Sequence, residues 1–427
     1  MADTPSPPLL RSGLSGLAVS VLVASLGTSA ANVALPTIAV ELESTFAQTQ
    51  WVALAYLLGM TVASLTVGHL GDLLGRRKVL LAGTIVFTIA AALCTVAPTL
   101  WMLVLARAVQ GIGAAVMMAL PLARARDLIG PARLGAAMGL LGTTAAVGTA
   151  AGPALGGVLI AISGWPTIFA LMALLGILST LLVARQVETP LPPRSGRGLL
   201  GQLMAPSAVG PLLRIRAISV GAILNLIVGA VMMSTLIVGP FFLGGALHLS
   251  PAAIGAVMAA GPVASIITGV MAGRLVDRFG ARRMTTSGLS AMITGSLVLA
   301  LLPAWWGLPG YIAGTVLLAP GYQLFLAANS TGVLGATPAE RRGAASGLLG
   351  LSRNLGLLTG ASLLGALFAV ASGPTTIVAA SPDALLTGLR VTFLATAAAL
   401  VIATALSALP ARQAIPVDGA PHGRSRG

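Results

Sequence analysis

The sequence predicts an all-α membrane protein, with twelve transmembrane helices in two pseudo-symmetric six-helix bundles. Three observations carry this. Apolar runs of about twenty residues or more recur along the chain, basic residues fall on alternate connections between the runs, and the second half repeats the first. The 427 residues are 56% hydrophobic and only 8% charged, whereas roughly 25% charge is usual for a soluble domain. A soluble enzyme, a disordered chain and a nucleic-acid binder are excluded by that balance. Cys94 is the single cysteine, so neither an internal disulfide nor a cysteine metal cluster is available, and no metal or cofactor is expected.

The runs read as spans are 14–38, 50–70, 79–97, 100–121, 136–162, 165–184, 217–243, 251–272, 286–303, 310–333, 344–370 and 389–409. Each can cross a hydrocarbon core of about 30 Å as a helix. The first follows Arg11 and is too long for a signal peptide, so it is read as an uncleaved span.

The charges orient the spans. With the N-terminus inside, the cytoplasmic connections and tails hold 21 of the 24 basic residues, and only Arg107, Arg353 and Arg390 remain. This is the positive-inside pattern, and it explains the net charge of +14 as topology. Trp51, Trp101, Trp165, Trp305 and Trp306 all fall at the opposite interface, where amphipathic rings settle. Both termini are therefore expected in the cytoplasm. Proline, glycine and arginine between 188 and 216 mark a cytoplasmic linker. It separates an N-terminal bundle, 1–187, from a C-terminal bundle, 217–410, and a disordered tail is expected over 411–427. Lys78 is the sole lysine, which suits a GC-rich bacterium and its inner membrane.

The halves repeat in parallel. Shifted by 208 positions, Gly135–Gly157 matches Gly343–Gly365 at 11 of 23 places. Shifted by 205, Gly68, Asp72, Gly75 and Arg77 fall on Gly273, Asp277, Gly280 and Arg282. Repeats of six helices about an axis along the membrane normal describe a two-bundle secondary transporter.

The connection after the second run reads Gly68-His69-Leu70-Gly71-Asp72-Leu73-Leu74-Gly75-Arg76-Arg77-Lys78, span 4 carries Arg107-Ala108-Val109-Gln110-Gly111-Ile112-Gly113, and span 5 carries Gly148-Thr149-Ala150-Ala151-Gly152-Pro153-Ala154-Leu155-Gly156-Gly157. Together these motifs resemble the major facilitator superfamily over nearly the whole chain, and the last resembles the motif of drug–proton antiporters. Asn32 to Pro36 and Trp51 to Tyr56 resemble multidrug exporters with fourteen spans, although this chain lacks room for two further helices. The resemblance implies that the loop around Gly68, Gly71, Asp72, Gly75, Arg76 and Arg77 latches the cytoplasmic side against span 11, with Asp277 as its repeat. The simpler reading of the loop is a short turn with topogenic charges. Gly148, Gly152 and Gly156 share a helix face and Pro153 can bend the helix. With Gly157 they either seal the pathway at the bundle interface or serve ordinary close packing.

Arginine inside a bilayer is costly and usually functional. Arg107, with Gln110 on its face, and Arg353, beside Asn354, are candidates for the cavity, the alternative being that they cap carbonyls. Arg390 can snorkel and reads as an anchor. The neutral polar candidates for contacting substrate are Asn32, Tyr56, Asn225, Tyr322, Gln323 and Asn329, each of which could equally bond helix to helix. None of the ten acids falls mid-span. Related multidrug exporters commonly carry an Asp in span 1, where this chain reads Leu26-Gly27-Thr28-Ser29. The departure leaves proton coupling without an obvious carrier. The expected function is export of a small amphiphilic drug or metabolite by alternating access, by a monomer in the lipid bilayer, with protons as the coupling ion the resemblance implies. Entry of an anionic or polar metabolite, and a non-transporting receptor on the same scaffold, are the alternatives. A membrane-embedded enzyme would need a mid-span cluster of acids or histidines, which the sequence lacks.

Overall fold

The computed structural model describes residues 7–128, 131–186, 209–338, 341–373 and 380–408. Among these there is no strand, and twelve helices are long and apolar enough to cross a membrane. The first six spans are Pro7–Val33, Trp51–Leu74, Arg76–Thr95, Leu100–Leu128, Pro131–Ser163 and Pro166–Ala184. Spans 7 to 10 are Arg216–Phe241, Pro251–Phe279, Ala281–Leu301 and Leu308–Gly335. Span 11 runs Arg342–Thr359, passes through a π-helical turn at Gly360–Leu364 and ends as Gly365–Ala371. Span 12 is Pro382–Ala408. Most of the linker expected at 188–216, and the tail expected at 411–427, lie outside the described residues.

Several boundaries move for local reasons. Gly75 (φ +94°) and Gly280 (φ +82°) turn the chain before spans 3 and 9, a conformation that glycine adopts without strain. Both helices therefore begin in their basic segments, at Arg76 and Ala281, ahead of the apolar runs. Span 12 starts at Pro382 rather than 389 because the Ala384 N–H donates to Ser381 Oγ (3.2 Å), capping a polar first turn. The run expected to 38 stops at Val33, and a separate short helix, Leu35–Glu41, follows with Pro36 in its first turn. Another short helix, Phe46–Thr49, begins with a capping box between Thr45 and Gln48.

Spans 1–6 pack on one another, and so do spans 7–12. The two bundles meet where span 5 lies on span 8 and span 2 on span 11. All five tryptophans lie at one end of the molecule, and the turns bearing Arg76, Arg77, Arg282 and Arg283 lie at the other. These are the tryptophan end and the arginine end below. Trp51, Trp101, Trp305 and Trp306 are exposed, as interfacial anchors would be. Trp165 is not. It is buried, and its indole N–H donates to Glu41 Oε2 at 2.7 Å, tying the short helix after span 1 to the start of span 6.

Glycine spacing assembles each bundle. A Cβ on Gly148, Gly152 or Gly156 would strike Leu22, Ser29 or Ala30 of span 1. In the repeat, a Cβ on Gly356 or Gly360 would strike Leu226 or Ala230 of span 7. The same pairing of helices thus recurs at the positions the sequence repeat aligns. Close approach of backbones is how helices associate where lipid removes any hydrophobic drive between them. Overpacking such a contact costs about 1–3 kcal/mol. Gly360→Val should therefore lower the melting temperature of the detergent-solubilised protein clearly. Gly347→Ala, on the same helix but with nothing within 4 Å of the added carbon, should shift it little.

Candidate functional site

The bundles touch at the tryptophan end and part at the arginine end. Gly157 of span 5 lies against Gly255 of span 8, the Cα of each within 3.0 Å of where the other's Cβ would stand. Gly365 of span 11 is packed against the Gln50 side chain. Beside it, the ring of Phe46 lies 4.7 Å from that of Phe241 and 5.3 Å from that of Phe368, joining the short helix before span 2 to spans 7 and 11. Gly139 precedes Gly157 by eighteen residues, which is five whole helical turns, and lies on the same face of span 5. Gly347 lies on the arginine-end side of the π-helical turn of span 11. Both are exposed with nothing within 4 Å of an added Cβ. Gly142 and Gly350 are open in the same way. The uncovered stretch of spans 5 and 11 toward the arginine end is called the vestibule here.

The spacing of these residues places the polar candidates. Ser346, Gly350 and Arg353 stand at i, i+4 and i+7, and Gly347, Gly350 and Asn354 at i, i+3 and i+7, so both sets share the open face of span 11. Ser346, Gly347 and Gly350 are exposed, Arg353 and Asn354 are half-buried, and Gly365 is buried. The vestibule therefore narrows at Arg353 and Asn354, about 17 Å from the arginine end of the span at 1.5 Å per residue. Span 10 packs beside span 11. Its Tyr322 and Gln323 are half-buried at a similar depth, about 20 Å from that helix's arginine end.

The other candidates do not line the vestibule. Arg107 is 1% exposed and sits inside the first bundle. Its Nε donates to the Val52 carbonyl (3.2 Å), one Nη to the Gly27 carbonyl (3.1 Å) and the other to Gln110 Oε1 (2.7 Å). The guanidinium lies 4.0 Å from the centroid of the Tyr56 ring, a cation–π stack, and the Tyr56 hydroxyl donates to the Ala24 carbonyl at 3.0 Å. Arg107, Gln110 and Tyr56 thus bind spans 1, 2 and 4 together instead of facing a cavity. Asn32 is buried and bonds the Thr28 carbonyl. Asn225 donates to the Leu349 carbonyl (2.6 Å), holding span 7 to span 11, and Asn329 donates to the Gly221 carbonyl (3.0 Å), holding span 10 to span 7. A carbonyl inside a helix bundle offers a partner that hydropathy does not reveal, and for five of these six residues it prevails; Gln110 instead accepts from Arg107 and donates to Met172 Sδ.

The gating candidates divide likewise. Gly148, Gly152 and Gly156 face span 1 of their own bundle, and only Pro153 and Gly157 reach span 8. Arg76 forms an ion pair with Asp72 at 2.9 Å and donates to the Ala123 carbonyl at the end of span 4. Arg77 donates to the Ala184 carbonyl at the end of span 6 (2.5 Å), and its repeat, Arg282, donates to the Ala408 carbonyl at the end of span 12 (3.1 Å). Each caps a helix C-terminus, where cations are favoured, and all these bonds stay within one bundle. No described bond from Asp72 reaches span 11. Asp277 is exposed and has no ion pair among the described residues. Gly71 lies against Leu120 of span 4, and Gly68 meets nothing. Sequence reasoning missed Phe46, Gln50, Phe241, Gly255 and Phe368, although the Thr45-Phe46-Ala47-Gln48 capping box was there to mark the short helix carrying the first of them.

A family model described as the Major Facilitator Superfamily matches residues 17–238 and again 221–425, once for each bundle. The chain belongs to that superfamily. The riboflavin transporter RibZ of Clostridioides difficile (strain 630) is 27% identical over 396 residues, spanning 83% of this chain and 87% of RibZ. The multidrug resistance protein Stp of Mycobacterium tuberculosis is 30% identical over 391 residues, 79% of this chain and 72% of Stp. Among solved structures, the nucleoside transporter NupG superimposes with a TM-score of 0.76 at 14% identity, covering 93% of this chain and 98% of NupG, a likeness of fold. The protein is a multi-pass membrane transporter.

The bonds of Arg107 predict its role. Its removal would leave two carbonyls and the Gln110 oxygen without donors in a buried site, at about 1–3 kcal/mol for each orphaned group. Arg107→Met should therefore melt well below the wild type. Arg107→Lys should recover little of the loss, since one ammonium cannot reproduce the planar fork.

Proposed function

We propose that this transporter exports a small amphiphilic compound by alternating access and is held here in its inward-facing state. The observation that carries the reading is the vestibule, open at the arginine end, closed at the tryptophan end, and ending at half-buried polar groups. On the positive-inside pattern the arginine end is cytoplasmic, so the site is presented to solute inside a bacterial cell, in its inner membrane, with both termini on the cytoplasmic side. Tyr322, Gln323, Arg353 and Asn354 supply the polar contacts. Exposed glycines along spans 5 and 11 leave a wide, smooth approach for an apolar body. Asp72 engages span 11 when the bundles rock together at that end, and Phe46, Gln50, Gly157 and Gly255 then separate at the other. The names of Stp, a multidrug resistance protein, and RibZ, a riboflavin transporter, support a ring-bearing amphiphile as the cargo.

A thermal-shift screen of the purified protein against diverse metabolites and antibiotics, followed by flux of the hits in proteoliposomes, tests this reading. Stabilising compounds should cross the bilayer from the arginine end to the tryptophan end. Asn354→Ala and Tyr322→Phe should each weaken stabilisation by about 0.5–1.5 kcal/mol, the contribution of one hydrogen bond. Protein-independent flux of every hit, or hits indifferent to both substitutions, would contradict it.

A further inference from the structure

We infer that the exported compound is an organic anion that pairs with Arg353, and that the membrane potential drives its exit without a proton-carrying acid in the path. The inference rests on the export reading above and adds the charge of the cargo and the source of energy.

Three arginines lie about 10 Å or more inside their helices: Arg107, Arg353 and Arg390. Arg390 is exposed and can snorkel; the protein treats the other two in opposite ways. Arg107 is enclosed, and the chain itself supplies acceptors for its guanidinium: the Gly27 and Val52 carbonyls and Gln110. Arg353 is half-buried on the vestibule face and has no hydrogen bond or ion pair among the described residues. An arginine kept at membrane depth with neither internal carbonyls nor a counter-ion is costly. A ligand that brings a carboxylate, sulfonate or phosphate removes that cost, because the guanidinium fork matches such oxyanions in two-point contact. Asn354, on the same face, adds a donor.

The repeat shows that the fold does not require this charge. Shifted by 208, Arg353 and Asn354 align with Ala145 and Ala146 of span 5, inside a stretch where nearly half the positions are identical. Alanine serves at that depth in the first bundle. Only the second bundle carries a cation and an amide there, so the site is one-sided and offers one fixed charge.

The energy source follows from the acids. Of the ten, Asp72, Asp127, Asp277 and Asp383 fall within the spans, each among the first or last three residues of its helix and none at mid-span. The helices packed against span 11 are spans 2, 7, 10 and 12 and the short helices Phe46–Thr49 and Val209–Leu213, which carry no titratable group. Apart from Asp72 and His69 at the arginine end of span 2, Arg216 at the start of span 7, and Asp383 and the exposed Arg390 toward the tryptophan end of span 12, their titratable groups are Tyr56, Tyr311 and Tyr322. None of these three is an acid or a histidine. An anion needs no such group to leave a cell. An inside-negative potential of about 100 mV favours its exit by roughly fiftyfold per elementary charge, the equivalent of about 2.3 kcal/mol. The loaded site holds a neutral pair, the empty carrier returns with Arg353 alone, and the net charge moved per cycle is that of the anion.

The test uses the full chain in liposomes filled with 6-carboxyfluorescein, an anionic dye, or with ethidium, a cationic one. Potassium-loaded vesicles treated with valinomycin supply an inside-negative potential, and buffer jumps supply a pH gradient at zero potential. The expected result is carboxyfluorescein release that accelerates about tenfold or more with the potential and changes less than about twofold with the pH gradient, since a driving bias of roughly fiftyfold is available. Arg353→Gln should slow it roughly ten- to hundredfold, the value of a charge-assisted contact. Arg353→Lys should restore part of it, and the melting temperature of both variants should stay near that of the wild type because Arg353 bonds nothing internally. Release that follows the pH gradient and ignores the potential, or an Arg353→Gln protein that releases dye at the wild-type rate, would overturn the inference. Transport of ethidium but not carboxyfluorescein would also overturn it while leaving the export reading in place. Transport of neither dye would count against both.

Discussion

The contact on which the rest of the structure depends is the meeting of Gly157 and Gly255, where spans 5 and 8 touch backbone to backbone. Lipid tails are as apolar as leucine, so two helix bundles in a bilayer gain little by hiding hydrophobic surface from each other. What holds them is close packing, and only glycine admits backbones at this distance. The contact fixes the bundles at one end. Because each bundle is a stiff unit, locked by its own glycines at 148, 152 and 156 or at 356 and 360, fixing one end decides the other. Toward the opposite ends of spans 5 and 11, Gly139, Gly142, Gly347 and Gly350 meet nothing within 4 Å, and the vestibule lies there. Phe46, wedged between Phe241 and Phe368, and Gln50 against Gly365 complete the closure with side chains that can slide apart without breaking a bundle.

Polar groups at membrane depth follow one rule with two outcomes. A buried donor or acceptor must find a partner. Where a neighbouring helix offers a carbonyl, as for Arg107, Asn225 and Asn329, the polar group becomes mortar and the bundle gains rigidity. Where none is offered, as for Arg353 and Asn354, the group stays partly accessible at the end of the open pathway. Rigid bundles and a reactive vestibule thus come from the same residue types, separated only by which carbonyls lie within reach.

Much of this was legible in the sequence. The spans, the repeat and the two chemically distinct ends are properties of composition and spacing, which hydrocarbon thickness and interfacial chemistry enforce directly. Even the one-sidedness of the site stood in the alignment of Arg353-Asn354 with Ala145-Ala146. Helix starts were less legible at Arg76, Ala281 and Pro382 because charged or capped first turns precede the apolar runs. Six of the ten residues expected to meet substrate are buried and hydrogen-bonded within their bundles in this structure, since a sequence shows that a residue is polar but not which group stands opposite it. The glycine stripe of span 5 was visible, while its partner was not: a one-residue step from Gly156 to Gly157 turns the helix by about 100°, from span 1 to span 8.

The central claim is that the empty protein rests closed at the tryptophan end and open at the arginine end. Pulsed electron–electron distance measurements between spin labels test it most directly, with one pair on Thr143→Cys and Ser346→Cys in the vestibule and a second on Ala47→Cys and Ala366→Cys at the closure. All four positions are exposed, and the native Cys94 is buried. The account predicts a short, narrow distance for the second pair and a long one for the first in the absence of any transported compound. A short vestibule distance together with a long, broad distance across the closure would contradict it.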